Sequence, residues 1–301
     1  MAGWPGGRVA EAILDWTVDD GYAARTAPYQ LPTGDGVWEL AAPATAAVDP
    51  HWGNLRTYVL GTAREVQPPA PLPYAADPNA SFAAQAQQVY DAGRTLTDGQ
   101  RAIARFWAAG PAARWLTIAA DQVTAHDLDV TEGTHALALT AVALADASIA
   151  SWAATYAHNE IRPVTYIQRH IDPARTPLLP SPEHPEFPAG HSAAAAATVL
   201  TGLLGDATVT ARDATGAEPD GHLSSFEAAA EETAISRVYA GVHYPDGLDA
   251  GSHRATASGS WSSPAWGHPA TAECTRGVPV GVQQPLLAGG RRPRSYASGP
   301  R

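Results

Sequence analysis

The sequence contains no lysine, since all 19 basic residues of this 301-residue chain are arginine. No step of any reaction can therefore depend on a lysine amine. The chain has one cysteine, Cys274, which excludes an intrachain disulfide and a cysteine-based metal cluster. The redox state of its compartment cannot be inferred from such a sequence.

Excess positive charge is also missing. The formal net charge of -11 argues against a general nucleic-acid binder, because such proteins use basic surface to neutralise phosphates. An acidic protein can still hold an anionic substrate in a locally positive pocket.

Long apolar runs suited to crossing a membrane are scarce. Residues 134–154 are interrupted by Asp146 and are rich in alanine, which is only weakly apolar, and residues 191–204 are too few to span a bilayer. We interpret both as buried core helices. The first residues lack the basic-then-apolar order of a signal peptide. The expected location is soluble and cytoplasmic as written, or secreted or periplasmic if a signal segment precedes Met1.

Apolar residues recur at helical spacing through most of the chain, which predicts an all-α fold. The predicted helices occupy residues 8–19, from 81 onward, 97–108, 113–128, 134–158, 191–204 and 224–239. Thr97 with Gln100 resembles a capping box, Asn79 or Ser81 can cap the helix near residue 81, and Ser224 with Glu227 opens the last helix.

Three regions follow from this pattern. Residues 1–80 are predicted to be a helix and a long extended loop packed on the core, and residues 81–251 a helical domain. Residues 252–301 are rich in Gly, Pro, Ser and Arg with one acidic residue, Glu273. We expect this tail to be disordered, or to be aberrant through out-of-frame translation.

Three segments carry the residue types that bind a tetrahedral oxyanion: residues 159–165 (NEIRPVT), 184–192 (HPEFPAGHS) and 236–245 (SRVYAGVHYP). Phosphate or vanadate is bound by the planar fork of arginine and by backbone N–H groups at a helix N-terminus. Arg162 and Arg237 supply the forks, and Gly190 with His191 lies where a loop enters a helix. His191 and His243 can act on opposite sides as nucleophile and proton donor.

Each of these residues alone has a more ordinary explanation. Arg162 could end a helix at the surface, and Arg237 could pair with a glutamate on the same helical segment. His191 could be a cap residue and His243 a turn histidine. Their order and spacing together favour the oxyanion site.

The compound pattern of Arg-Pro, Pro-x-Gly-His and Ser-Arg-x-x-x-Gly-x-His resembles one superfamily. It joins vanadium-dependent haloperoxidases with type 2 phosphatidic-acid phosphatases and bacterial acid phosphatases. The flanking residues resemble its soluble bacterial haloperoxidase-like branch: 51–54 (HWGN), 96–100 (LTDGQ), 146–152 (DASIASW), 162–165 (RPVT), 184–188 (HPEFP) and 236–243 (SRVYAGVH). The resemblance covers about residues 21–251 and implies a helical bundle with the anion at one end.

The resemblance also implies roles for the site residues. His243 would bond to vanadium in a peroxidase, or be the nucleophile in a phosphatase, and His191 would be the acid–base on the opposite side. Arg162, Arg237 and the Gly190 N–H would hold the remaining oxygens. The implied cofactor is vanadate; the alternative is no cofactor, with phosphate as substrate or product.

Three positions depart from the family pattern. Thr155 stands where the family usually has a lysine, and this loss is expected to weaken anion binding by about 1–3 kcal/mol, although threonine can donate one neutral hydrogen bond. Ala189 replaces a serine, leaving its backbone N–H at the site. Gly247 replaces an aspartate that usually supports the second histidine. Asp246 or Asp249 could reach Nδ1 of His243, but their spacing differs from the family pattern, and both could be ordinary charges near the start of the next element.

The leading hypothesis is a vanadium-dependent haloperoxidase-like enzyme that oxidises halide with hydrogen peroxide. One alternative is a metal-independent acid phosphatase acting on a phosphate ester, and another is a degenerate, inactive anion-binding homologue. All three bind small molecules, and a homo-oligomer is left open. A zinc hydrolase using His158, His184 and His191 is disfavoured, because no helical His-x-x-x-His spacing is present.

Overall fold

A computed structural model describes residues 5–41, 45–66, 68–189, 191–211 and 222–251. The predicted tail and Cys274 lie outside the described residues. The helices are α1 (Pro5–Thr17), α2 (Ser81–Arg94), α3 (Asp98–Ala108), α4 (Pro111–Ala125), α5 (Val130–His158), α6 (Pro163–His170), α7 (His191–Leu204) and α8 (Phe226–Ala240). Residues 245–251 are also helical. Two short antiparallel strands, β1 (Val209–Thr210) and β2 (His222–Leu223), pair with each other. The predicted all-α class is confirmed.

Side-chain caps explain where several helices begin. The predicted capping box of α3 is present, with Thr97 and Gln100 each satisfying the other's backbone N–H. Asp129 and Glu132 form a second capping box, so α5 begins at Val130 rather than at the predicted residue 134. These caps satisfy N–H groups that have no partner inside the helix.

Other helix starts differ from the prediction. Neither Asn79 nor Ser81 caps α2, whose N-cap is Ala80 with no side-chain hydrogen bond. α8 is capped by Ser225, one residue after the predicted Ser224. The helix α6 was not predicted, because it has only eight residues and so shows little helical periodicity.

The helices enclose two main groups of buried side chains. One lies between α3, α4, α5, α7 and α8, with Trp107, Trp115 and Phe226 among its largest members. The other lies between α2, α6 and α8, around Phe82, Tyr166 and Tyr244. The second group matters for function, because Tyr244 directly follows His243 and anchors its segment.

The long helix α5 is a core element whose one central acid has a structural role. Asp146 is 2% exposed and accepts hydrogen bonds from the backbone N–H groups of Tyr58, Val59 and Leu60, at 2.7, 2.8 and 3.0 Å. The carboxylate thereby fixes the irregular N-terminal region to the bundle. α5 alone among the described helices is long and apolar enough to cross a membrane, but it packs against α4 and α7 and is mostly buried.

The irregular N-terminal region also contacts the segment just before Arg162. Val37 forms an isolated antiparallel bridge with Glu160, and the N–H of Ile161 donates to the carbonyl of Gly36 at 2.9 Å. Trp38 is 1% exposed, and its backbone N–H donates to the carbonyl of Asn159 at 2.8 Å. Residues 36–38 therefore fix the backbone just before Arg162.

Candidate functional site

Arg162 is the N-cap of α6, and its side chain is buried, with 1% of the residue exposed. Its Nε donates to the carbonyl of His184 at 2.9 Å. One terminal nitrogen donates to the carbonyl of Val242 at 2.7 Å, and the other to that of Pro185 at 3.0 Å. One guanidinium thus joins the second motif segment to the third. Burial lowers its pKa to about 10, so it stays charged at neutral pH.

Arg162 also contacts the imidazole of His243, a residue that is 6% exposed. A terminal nitrogen of Arg162 lies 3.0 Å from Nε2 of His243, and Nδ1 of the same ring lies 3.0 Å from Oε1 of Glu186. A guanidinium can only donate, so Nε2 must accept and Nδ1 must carry the proton. The network therefore assigns the tautomer that a nucleophile or a vanadium ligand at Nε2 requires.

Two buried glutamates support this ring. Oε1 of Glu186 also accepts the backbone N–H of Tyr244 at 2.8 Å, while among the described residues no donor contacts its Oε2. Burial, followed by the charge of Glu186, raises the pKa of Glu160 well above its usual value. Burial also raises the pKa of Glu186. Each of these two carboxyl groups therefore favours its protonated form more than an exposed glutamate does.

Arg237 lies on α8 near enough to Arg162 to lower the pKa of that guanidinium. Burial lowers the pKa of Arg237 itself, and no other group offsets this. The residue is partly buried, and within the described residues no acceptor contacts its side chain. Glu232, a candidate partner on the same helix, instead accepts the indole N–H of Trp107 at 2.9 Å. Arg237 is therefore a partly buried cation with no anionic partner among the described residues, and such a charge is costly unless a ligand compensates it.

The remaining predicted site residues are placed as follows. Thr155 is buried in α5, so its position holds a neutral side chain and no cation. Gly190 lies outside the described residues. His191 begins α7, but its side chain is outside the described part. The roles predicted for Gly190 and His191 stay predictions.

One predicted donor is wrong. The backbone N–H of Ala189 was expected to face the anion, but it donates to the carbonyl of Gly247 at 2.8 Å. The backbone before α7 is thus attached to the helical residues 245–251. The N–H of Ala189 is used by this attachment and is not directed to an anion.

The predicted support for His243 from Asp246 is also wrong. Oδ2 of Asp246 accepts the backbone N–H of Leu72 at 3.0 Å, whereas Nδ1 of His243 contacts Glu186. Sequence reasoning missed Glu186 because it lies 57 residues from His243 along the chain. The available signal was that Glu186 lies between Pro185 and Pro188, inside the second motif segment and close to the predicted site.

Together these features define a candidate oxyanion-binding site. The guanidinium of Arg162 lies against Nε2 of His243, the Glu186 carboxylate contacts Nδ1 of the same ring, and the charge of Arg237 acts on Arg162. Guanidinium and imidazole nitrogen form a donor set suited to a tetrahedral anion such as vanadate or phosphate. The uncompensated Arg237 shows that these residues fit such a group.

The chain is similar to solved vanadium haloperoxidases. It is 31% identical to a bacterial vanadium-dependent iodoperoxidase, over 85% of this chain and 66% of that one, with a TM-score of 0.79. The holo form of a bacterial vanadium-dependent chloroperoxidase matches at 15% identity over 86% and 71% of the chains, with a TM-score of 0.72. The apo form matches at 14% identity over 76% and 60%, with a TM-score of 0.63.

Residues 170–266 match the family described as the VCPO second helical-bundle domain. No curated protein sequence matches the chain. The chain belongs to the vanadium haloperoxidase superfamily, whose solved members named above are enzymes. It spans just under two thirds of the iodoperoxidase, 66% of its length.

Proposed function

We propose that this protein is a vanadate-dependent haloperoxidase that oxidises a halide ion with hydrogen peroxide. The vanadate would be held by His243, Arg162, Arg237 and the Gly190 N–H. The observation that carries the proposal is the partly buried Arg237, which has no anionic partner among the described residues and whose charge acts on Arg162, beside His243. A bound oxyanion compensates this charge.

The chain's own residues would divide the work. Nε2 of His243 would bond to the anion through the lone pair that accepts from Arg162 in this structure, so the anion would take the place of that contact. Glu186 keeps the ring proton on Nδ1. Arg162 and Arg237 bind oxygens and neutralise their charge. We assign proton transfer to His191. Vanadate, when bound, supplies a Lewis-acidic centre that activates hydrogen peroxide.

A phosphatase would use the same atoms, with Nε2 of His243 as the nucleophile and His191 as the general acid. The haloperoxidase is preferred because the solved structures that match the fold are vanadium-dependent iodo- and chloroperoxidases. An inactive homologue would follow if the missing cation at Thr155 reduced anion affinity too far. At Gly247, where the family has an aspartate that supports the histidine, Glu186 contacts His243 instead, which argues against an inactive site.

The test compares halide oxidation and phosphate ester hydrolysis in one preparation. Purified protein is loaded with orthovanadate and supplied with hydrogen peroxide and iodide or bromide, and vanadate-free protein is supplied with p-nitrophenyl phosphate. We expect vanadate-dependent halide oxidation that is lost in His243→Ala. The control variant Arg64→Gln, which changes an exposed loop residue, should keep it. Ester hydrolysis without halide oxidation would instead establish the phosphatase. Anion affinity no better than millimolar, with neither activity, would establish the inactive homologue.

A further inference from the structure

Glu186 and Gly247 compete for the same space beside His243. A Cβ atom built on Gly247 would lie 2.8 Å from Oε1 and 3.0 Å from Oε2 of Glu186. Real Cβ atoms do not approach other atoms so closely, so the Glu186 carboxylate can occupy its position because residue 247 is glycine. Gly247 is not in the left-handed backbone region, so strain does not explain its identity.

The Glu186 carboxylate is held firmly at this position. The residue is fully buried, and its Oε1 receives two donors, Nδ1 of His243 at 3.0 Å and the N–H of Tyr244 at 2.8 Å. Its own N–H donates to the carbonyl of Glu160 at 3.0 Å. Three residues later, the N–H of Ala189 donates to the carbonyl of Gly247 at 2.8 Å. The carboxylate and the ring thus have little freedom to move apart.

We infer that Glu186 is the positioning residue of His243, fixing the ring direction and keeping the proton on Nδ1, and that glycine at 247 makes this possible. Nothing in the local sequence of His243 supplies the carboxylate; it comes from the segment before α7. A histidine ring held in this way presents Nε2 as an acceptor. The inference rests on the proposed function only in taking Nε2 as the atom that binds the anion.

The geometry offers a direct exchange experiment. Because a side chain at 247 begins within 3.0 Å of the Glu186 oxygens, a carboxylate can be moved from one position to the other. The variants are Glu186→Ala, Gly247→Asp and the double variant that carries both changes. Glu183→Gln, an exposed acid three residues before Glu186, is the matched control.

Two properties of vanadate-free protein are measured. The first is the tautomer of His243, from long-range ¹H–¹⁵N correlations of the ring. The second is the affinity for inorganic phosphate and for orthovanadate, by calorimetry. We expect Glu186→Ala to mix the two tautomers and to weaken anion binding about 10–100-fold, the usual effect of losing such a supporting group. The double variant should restore the Nδ1–H tautomer and most of the affinity.

Stability provides a further readout if Glu186→Ala folds poorly. Gly247→Asp alone forces two carboxylates together and should lower the melting temperature, and adding Glu186→Ala should raise it again. The inference is overturned if Glu186→Ala keeps the tautomer and the affinity of the Glu183→Gln control. It is equally overturned if the folded double variant restores neither. If the parent protein does not oxidise halide but the variants change the His243 tautomer as expected, the proposed function is contradicted and this inference stands.

Discussion

The two arginines of the site lie close together but have opposite surroundings. Arg162 donates to three backbone carbonyls and also contacts the rings of His184 and His243. Arg237 is only partly buried, and no acceptor among the described residues contacts it. Two residues of one type in the same site can therefore differ in role. Arg162 connects the motif segments, and in the proposed function Arg237 provides the charge that an anion would neutralise.

This difference has opposite consequences for stability and for binding. Hydrogen bonds that a buried charge makes within the protein stabilise the fold, whereas a buried charge without a partner destabilises it until a ligand binds. Variants of the two arginines should therefore change different quantities.

Replacing Arg162 should mainly destabilise the protein. We expect Arg162→Gln to lose about 3–5 kcal/mol of unfolding free energy, because the buried Glu186 charge loses its compensation and three carbonyls lose a donor. Urea unfolding measures the loss. Arg64→Gln, on the exposed loop, should change stability by less than about 0.5 kcal/mol. A loss for Arg162→Gln as small as that of the control would contradict the structural role.

Replacing Arg237 should mainly weaken anion binding. We expect Arg237→Gln to raise the dissociation constants of phosphate and vanadate about 10–100-fold, as for a lost charged hydrogen bond of about 1.5–3 kcal/mol. The melting temperature of ligand-free protein should rise or stay constant, because an uncompensated buried charge is removed. Calorimetry and thermal unfolding measure the two effects. A lower melting temperature with unchanged affinity would reverse the comparison between the arginines.

Adding a cation at Thr155 should sharpen the same contrast. We expect Thr155→Lys to tighten phosphate binding by about tenfold, equal to about 1.4 kcal/mol, while lowering the stability of ligand-free protein. Thr155→Met, similar in length but uncharged, is the control and should not tighten binding. The position is buried in α5, so added phosphate should raise the melting temperature of Thr155→Lys more than that of the parent. Equal shifts in the two proteins would show that residue 155 does not face the anion.

The smallest effect concerns Glu160 and depends on pH. Its pKa is raised in the folded protein above the ordinary 4.5, chiefly by burial, so folding favours the protonated form. Stability from this group is therefore complete below the ordinary pKa and is lost as the pH rises toward the folded value. Glu160→Gln mimics the protonated acid. Its melting temperature should match the parent near pH 4 and exceed it progressively toward pH 8, whereas a constant difference would contradict the raised pKa.

Local features of the chain were largely predictable. Apolar spacing predicted most helices, and Thr97 with Gln100 predicted the start of α3, because both signals act within a few residues. The short α6 was missed because eight residues give little periodicity. The motif segments identified Arg162 and His243, and in the structure a terminal nitrogen of Arg162 lies 3.0 Å from Nε2 of His243.

The sequence by itself determined the helical class and supplied the two arginines, the histidines and the glycine at 247. Only the tertiary structure decided their partners: Arg162 bonds to backbone atoms 22, 23 and 80 residues away, and His243 to a carboxylate 57 residues away. Periodicity and caps report contacts within one or two helical turns. Which distant carboxylate supports a ring, and which arginine has no acceptor, depends on how the helices and loops pack in space.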